Sequence, residues 1–372
     1  MRYLEFIVLS MLMVITLSCN SGEVITTFLP PEIVAKKYTY RVVEGGEISI
    51  SPKYRYVEDA TYSWRIDECE VCSDDSYTFI AEDVGAVTIM LTVTTSGGEV
   101  EATFMVEVFE HVKVYDYTPA PGQFIGDTPR GGFTGEESTP QHAIEYAERR
   151  LSEEQFISLG AFGGYIVIGL EHRITNDEGY DFAIRGNAHE GSSEPGIVHV
   201  MQDDNGNGLP DDTWYELAGS ETGKEETLSN YAVTYYRPQE DGASVAWSDN
   251  MGGSGSVEYS EEFHTQRSYY PQWITTDNYT LSGRRLASRS YDKSGNGSLW
   301  INPAFEWGYA DNLSTQDFEG GENSFDIDNA IDEEERSVEL AHIDFIKVQS
   351  AIQQQCGRIG ELSTEISALR EL

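Results

Sequence analysis

From residue 38 to about residue 109, apolar and polar residues alternate with a period of two. The runs are Tyr38-Thr-Tyr-Arg-Val-Val, Glu47-Ile-Ser-Ile-Ser, Ala60-Thr-Tyr-Ser-Trp-Arg-Ile, Tyr77-Thr-Phe-Ile, Val87-Thr-Ile-Met-Leu-Thr-Val-Thr and Val100-Glu-Ala-Thr-Phe-Met-Val-Glu-Val, split by Gly, Asp and Ser turns. Period two sends successive side chains to opposite faces of a strand, so each run can bury one face and wet the other. Six or seven short strands within about 70 residues is the spacing of a small β-sandwich.

Near His111 the texture changes. Tyr117-Thr-Pro-Ala-Pro-Gly-Gln-Phe-Ile and Gly131-Gly-Phe-Thr-Gly form a Gly/Pro-rich lead-in. Thr139-Pro140 places a capping hydroxyl before a proline at the first helical position, and Ala143, Tyr146, Ala147 and Leu151 follow at helical spacing. One short amphipathic helix, Pro140–Ser152, is therefore expected. The rest reads as strands again: Gly164-Tyr-Ile-Val-Ile-Gly-Leu, Tyr180-Asp-Phe-Ala-Ile, Gly196-Ile-Val-His-Val-Met, Thr213-Trp-Tyr-Glu-Leu, Tyr231-Ala-Val-Thr-Tyr-Tyr and Ile343-Asp-Phe-Ile-Lys-Val. No repeat of 20–50 residues is visible, which argues against a solenoid or propeller. The expected fold is all-β. A small immunoglobulin-like sandwich over 38–110 precedes a larger β-sandwich over 111–372, whose jelly-roll or discoidin-like form is what a family resemblance implies.

The chain has 64 Asp plus Glu against 24 Lys plus Arg, a net charge of −40. That sign repels phosphate backbones and anionic lipid, so no nucleic-acid partner is expected. Residues 1–18 read as a leader. Arg2 supplies the positive start, and 6–17 is an apolar run too short for a spanning helix of roughly 20 residues. The leader ends Thr16-Leu17-Ser18-Cys19, small residues just before a cysteine as in a bacterial lipoprotein signal. Lipidation of Cys19 is expected, with an ordinary secretory signal as the alternative. Residues 19–37 then form a short extended tether marked by Pro30-Pro31. The lipid would be the only membrane attachment. In an exported chain the pair Cys69-x-x-Cys72 is expected to form a disulfide, with free thiols or a metal site as alternatives. Cys356 is expected to be buried.

The Trp64 strand followed by Asp83-Val-Gly-Ala-Val-Thr-Ile-Met-Leu-Thr-Val resembles a PKD-like, immunoglobulin-type module over about a fifth of the chain. Further on, Ser158-Leu-Gly-Ala-Phe-Gly-Gly-Tyr-Ile-Val-Ile-Gly, Gly179-Tyr-Asp-Phe-Ala-Ile-Arg-Gly-Asn, Ser193-Glu-Pro-Gly-Ile-Val, Trp307-Gly-Tyr-Ala-Asp-Asn and Ile343-Asp-Phe-Ile-Lys-Val-Gln resemble the PKD-containing cell-surface lipoproteins of Bacteroidetes. The tail departs from that pattern at Gln353-Gln-Gln-Cys-Gly. The resemblance implies an outer-membrane lipoprotein facing the cell exterior. Such a protein captures a small-molecule nutrient, a cobalamin or other corrinoid, and passes it to an outer-membrane transporter. A glycan-binding surface module and an adhesin or structural surface protein are the alternatives.

The sharpest local signal is Asp203-Asp-Asn-Gly-Asn-Gly-Leu-Pro-Asp-Asp212. Asp203, Asn205 and Asn207 present hard oxygens at alternating positions, and Gly208 permits a sharp turn. Leu209 would add its carbonyl, Asp211 and Asp212 would close the shell, and Glu216 is a further candidate. The expected ion is a structural Ca2+. Trp214 stands at the twelfth position, where a helical EF-hand carries a bidentate Glu. A second acidic group, Asp326, Asp328, Asp332 and 333–335, reads as a solvated loop. Asp311-Asn312 suits a turn or a ligand equally.

No His-Glu-x-x-His, Gly-x-Ser-x-Gly or P-loop motif is present, so no enzymatic activity is expected. Among 64 acids some pair at glycosidase spacing is inevitable and carries little weight. Trp247, Tyr269, Tyr270 and Trp273 lie in Gly/Ser-rich surroundings and are the candidate ligand-binding rings, with Tyr270-Pro271 the expected exposed patch. His264 beside Phe263 is the candidate for ligating cobalt.

Overall fold

The computed structural model describes residues 29–372, so the leader 1–18, the Cys19 lipidation site and most of the tether lie outside the described residues. The described chain divides into two compact units. The smaller holds 29–39, Ser49–Thr78 and Thr88–Met105. The larger holds Tyr40–Ile48, Phe79–Val87 and Val106–Leu372. Strands dominate both, as the alternating pattern requires.

In the smaller unit the strand Thr61–Ile66 pairs antiparallel with Gly85–Thr95, Trp64 facing Leu91, and on its other side with Cys69–Cys72. Trp64, Ile89, Leu91, Val93 and Phe104 are all fully buried. Ile89, Leu91 and Val93 lie two residues apart, so one pleated face supplies them all. The Trp64 ring sits 5.7 Å from Phe104 and 5.9 Å from Tyr77, and its Nε1 donates to Asp74 O at 2.9 Å. A buried indole thus keeps its one donor satisfied. Glu32–Val34, read from the sequence as tether, forms a strand paired with Lys53–Arg55.

The expected Cys69–Cys72 disulfide is not formed; both are free thiols, Cys69 exposed and Cys72 half-buried. They stand at the two ends of one strand, Cys69–Cys72. An extended rise of about 3.3 Å per residue puts their Cα atoms roughly 10 Å apart, beyond the ~7 Å that a disulfide spans. Sequence proximity misled because the pair lies in a strand rather than a turn.

The larger unit is built on a six-stranded antiparallel sheet. Its order is Lys113–Thr118, Tyr165–Gly169, Phe345–Ser350, Gly196–Met201, Trp214–Leu217, Ala330–Ile331. A four-stranded sheet, Phe318–Glu319, Glu322–Phe325, Phe182–Arg185, Ala368–Glu371, contributes to the same apolar core. Ile166, Ile168, Val198, Val200, Ile346 and Val348 from the first meet Phe182, Ile184, Phe325 and Leu369 from the second. Central strands such as Tyr165–Gly169 are buried along nearly their whole length, which is why their sequence is a continuous apolar run. A further four-stranded sheet, Ser254–Val257, Val245–Asp249, Leu228–Tyr236, Asn278–Arg285, covers a separate cluster that includes Phe162, Tyr231, Tyr235 and Tyr269.

The helix occupies Pro140–Ser152, as its local signals predict. Thr139 caps it, accepting the His142 amide at 3.2 Å. Ala143, Tyr146, Ala147 and Leu151 turn into the main core. The Tyr146 ring stacks on Phe133 at 3.7 Å, and its hydroxyl donates to Gly131 O at 2.7 Å. The Gly/Pro-rich lead-in is therefore the helix's packing partner.

Candidate functional site

The hairpin of Val245–Asp249 and Ser254–Val257 sets Trp247 opposite Gly255. Val245 and Val257 are buried in the core beneath this sheet, and Trp247 continues the same face to its rim, where the ring is half-buried. The ring lies so close over Gly255 that a Cβ there would come within 2.7 Å of it. Only glycine permits that approach. Asp249 closes the turn, its Oδ1 accepting the amides of Met251 at 2.9 Å and Gly253 at 2.6 Å.

Trp247 forms one wall of a 410 Å³ cavity. The opposite lining is Gln353, Gln354, Gln355 and Glu361, with Ser256 and Glu258 on the strand beside the ring. The Gln353-Gln-Gln segment is thus a pocket wall. It leads into the short 3-10 turn Gly357–Ile359, closed by a bridge between Gln355 and Glu361.

Glu361 is 2 % exposed. Its Oε1 accepts the Gln123 amide at 2.7 Å, while Oε2 is buried with no hydrogen-bond partner. Burial pushes its pKa up to about 7, against the opposing pull of the Gln123 N–H. Gln123 is itself held from both ends: its Nε2 donates to Ile359 O at 2.6 Å, and its Oε1 lies 3.1 Å from His264 Nε2. His264 Nδ1 in turn lies 2.9 Å from Asp127 Oδ2. A chain of side chains therefore fixes the Glu361 carboxyl, whose Oε2 has no hydrogen-bond partner. A smaller cleft of 270 Å³ lies elsewhere in the same unit, lined by Tyr180 and Trp307 together with Gln316 and Asp326.

Of the four rings expected to bind ligand, Trp247 is the half-buried one and lines the 410 Å³ cavity, while Tyr270 touches a separate 520 Å³ cleft beside Arg237 and Gln272 from a nearly buried position. Tyr269, Tyr270 and Trp273 are 1 %, 3 % and 4 % exposed. Tyr269 accepts the Ser260 amide at 3.1 Å. Tyr270 donates to Thr276 O at 3.0 Å beneath the Arg237 guanidinium. Trp273 packs beside Tyr117 and Phe133. The expected exposed patch at Tyr270-Pro271 is core, because Tyr270 joins the apolar cluster of Phe162, Tyr231, Tyr235 and Tyr269. His264 is buried at 3 % exposure with both nitrogens engaged, which removes it as a cobalt ligand. Cys356 is fully buried, as expected.

Residues 203–212 form one loop between the strands Gly196–Met201 and Trp214–Leu217. Asp203 Oδ1 accepts the amides of Gly206 at 2.8 Å and Asn207 at 3.2 Å, and Oδ2 accepts Gly208 N at 2.8 Å. These bonds, that to Gly208 foremost, hold its pKa below the usual aspartate range. Asn205 Oδ1 and Asn207 Oδ1 accept the next-but-one amides, and both Nδ2 groups reach Asp211. Asn205 Nδ2 also reaches Asp212 at 2.9 Å. Leu209 O accepts the Asp211 amide at 2.9 Å.

Glu216 does not join them. It lies in a strand, 2.8 and 2.9 Å from Arg284 Nε, and belongs to an ion-pair network that Arg284 extends to Glu335. The acidic segment near 332 is likewise local: Asp332 caps the amides of Glu334 and Arg336 and pairs with the Arg336 guanidinium. The loop Asp292-Lys-Ser-Gly-Asn-Gly-Ser298, which the sequence reading passed over, repeats the Asp203 turn. Asp292 Oδ2 accepts Gly297 N at 2.7 Å, five residues on, just as Asp203 accepts Gly208. The shared Asp-x-x-Gly-Asn-Gly string was the available signal.

Residues 30–95 match the PKD-like domain family. They are a PKD-like domain. The family match stops before the last strand of the stretch read from sequence as 38–110. Among solved structures the chain is similar to the PKD domain of a human protein, at 16 % identity over 24 % of this chain and 90 % of that one, with a TM-score of 0.19. It is also similar to a carbohydrate-binding module described as promiscuous and of the β-sandwich superfamily, at 12 % identity over 93 % and 99 % of the two chains, TM-score 0.23. A chimeric titin Z1Z2 gives 20 % identity over 22 % and 96 %, TM-score 0.20. No curated protein sequence matches the chain.

Proposed function

We propose that the larger unit captures a glycan, with the pocket at Trp247 as its binding face. The observation that carries this reading is a half-buried Trp247 lining a 410 Å³ cavity together with glutamine amides and glutamate carboxyl groups. Ligand pockets run from about 300 to 1,000 Å³, so the space is adequate. Sugar rings present an apolar face and a rim of hydroxyls. The indole matches the face, and glutamine side chains donate and accept at once, as hydroxyls do. A flat corrinoid would need a broad apolar lining, which three adjacent glutamines do not supply. Binding without turnover is the proposed activity, at the cell surface, with a lipid on Cys19 as the anchor.

The test is a titration of the purified chain with defined oligosaccharides, cello-, xylo-, malto- and manno-hexaose, read by calorimetry. Binding is expected to fall at least tenfold in Trp247→Ala and to persist in Tyr180→Ala, which alters the other aromatic cleft. Failure of the whole panel to bind, or full affinity in Trp247→Ala, overturns the reading.

We also propose that the 203–212 loop binds one structural Ca2+ through Asp203, Asn205, Asn207, Asp211 and Asp212, with the Leu209 carbonyl. Support comes from the gathering of these oxygen-bearing side chains into one tight loop. Calcium is expected to raise the melting temperature, and Asp203→Ala to remove part of that rise. An unchanged rise in the variant removes the loop from consideration.

A further inference from the structure

Three carboxylates from distant parts of the larger unit meet in its interior. Glu194 precedes the strand Gly196–Met201, Asp311 follows Tyr309-Ala310, and Glu365 opens the strand Glu365–Ile366. Each offers one oxygen, and the three oxygens lie within 4.8 Å of one another. Asp311 is fully buried and Glu365 is 5 % exposed, while Glu194 is half-buried.

The surroundings hold this cluster firmly. Asp311 has φ +53°, a left-handed conformation that turns the chain sharply there. Its Oδ1 accepts the Asn187 amide at 2.8 Å and its Oδ2 accepts the Glu365 amide at 3.0 Å. Asn187 Nδ2 donates to Glu365 Oε2 at 3.2 Å. Glu365 Oε1 is buried with no hydrogen-bond partner. Gly186 is obligatory beside this arrangement, since a Cβ there would fall 2.5 Å from Asp311 Oδ1. Three of the sequence strings singled out for the large domain, 179–187, 193–198 and 307–312, converge on this one spot.

Three carboxylates this close in a poorly solvated interior cannot all be ionised without compensation. Burial first, then mutual repulsion, pushes the pKa of Glu194 and Asp311 up, and burial raises Glu365 to about 7. Hard oxygen donors at this separation suit a cation of the calcium class, whose ligands sit about 2.3–2.6 Å from the ion. We propose that Glu194, Asp311 and Glu365 form an internal divalent-cation site that staples three chain segments together. It is separate from the 203–212 loop and independent of the glycan reading. Glu365 Oε1 supplies the oxygen that has no other partner.

The test uses the full chain, stripped with a chelator and carrying Asp203→Ala so that the surface loop is silent. Calcium chloride is titrated by calorimetry and its effect on melting temperature recorded. One equivalent is expected to bind and to raise the melting temperature. Glu365→Gln and, separately, Glu194→Gln are expected to weaken binding at least tenfold and to cancel most of the rise. In chelator, Glu365→Gln should melt at or above its parent, because removing one charge relieves repulsion; in calcium the order should reverse. A variant that merely misfolds would melt lower in both conditions. In that event terbium luminescence of the Asp203→Ala parent, displaced by calcium, decides the matter. No binding of calcium, magnesium or terbium to that parent, or binding unchanged in both glutamine variants, overturns the proposal and leaves a cluster that shares protons.

Discussion

His199 is a half-buried imidazole between two strands that carry charge beside it. Lys347 and Glu216 face it in register on either side, and Arg284 lies nearby. Its Nε2 is 4.0 Å from Glu216, yet that carboxylate is taken by Arg284, and His199 Nδ1 has no partner. Burial, followed by Lys347 and Arg284, pushes its pKa down to about 3. An unfolded histidine titrates near 6.5, so between about pH 6.5 and 3 the unfolded chain holds a proton the native chain does not. The stability from the neutral ring is therefore present above pH 6.5 and lost as pH falls, with a slope approaching ~1.4 kcal/mol per pH unit. Glu361 works the other way, since its raised pKa means stability lost as pH rises from about 4.5 to 7. The contribution of His199 must be read as a difference. Urea midpoints of His199→Gln should fall less than those of the parent between pH 7 and 5. Equal declines would show that the ring is not held neutral.

At the scale of elements, some pieces were legible because their signals are local. The helix Pro140–Ser152 was readable from Thr139, Pro140 and a 3.6-residue apolar repeat, all within about four turns. Thr139→Ala should cost about 1 kcal/mol through loss of the cap, measured by denaturant unfolding, and Thr139→Ser should restore most of it. The tight turn at 203–212 was readable for the same reason, since its Asp and Asn oxygens accept amides from within the same ten residues. Glu216 was misplaced because two residues into a strand the side chain answers to the neighbouring strand, and Arg284 waits there. Cys69 and Cys72 show the same limit: their spacing is compatible with a bridge only in a turn, and the chain makes a strand.

For the whole molecule the dominant fact is a net charge of −40. Like charges repel across a compact surface, and dissolved salt screens them beyond roughly 10 Å at 0.1 M. Raising sodium chloride from about 10 mM to 0.3 M should therefore raise the melting temperature even with a chelator present. A flat response would mean that the acids are locally compensated, as Asp332 is by Arg336. The carboxylates also divide by burial. Most coat the surface, while Glu194, Asp311, Glu361 and Glu365 are drawn inside or to its edge.

The sequence by itself determined the mostly β architecture, the PKD-like module, the single helix among the described residues and the compact Asp203 loop. Each is written in residues close along the chain, where period, capping and turn chemistry act directly. Only the tertiary structure decided which aromatic rings stay half-exposed beside a cavity and which fill the core. Tyr269, Tyr270, Trp273 and Trp247 look alike in sequence, but three lie inside the two apolar clusters and one lies half-buried on a hairpin opposite Gly255. It alone gathered Gln353–Gln355 with Trp247, and Glu194 with Asp311 and Glu365. Burial depends on what the rest of the chain places on top of a residue, and no local pattern records it.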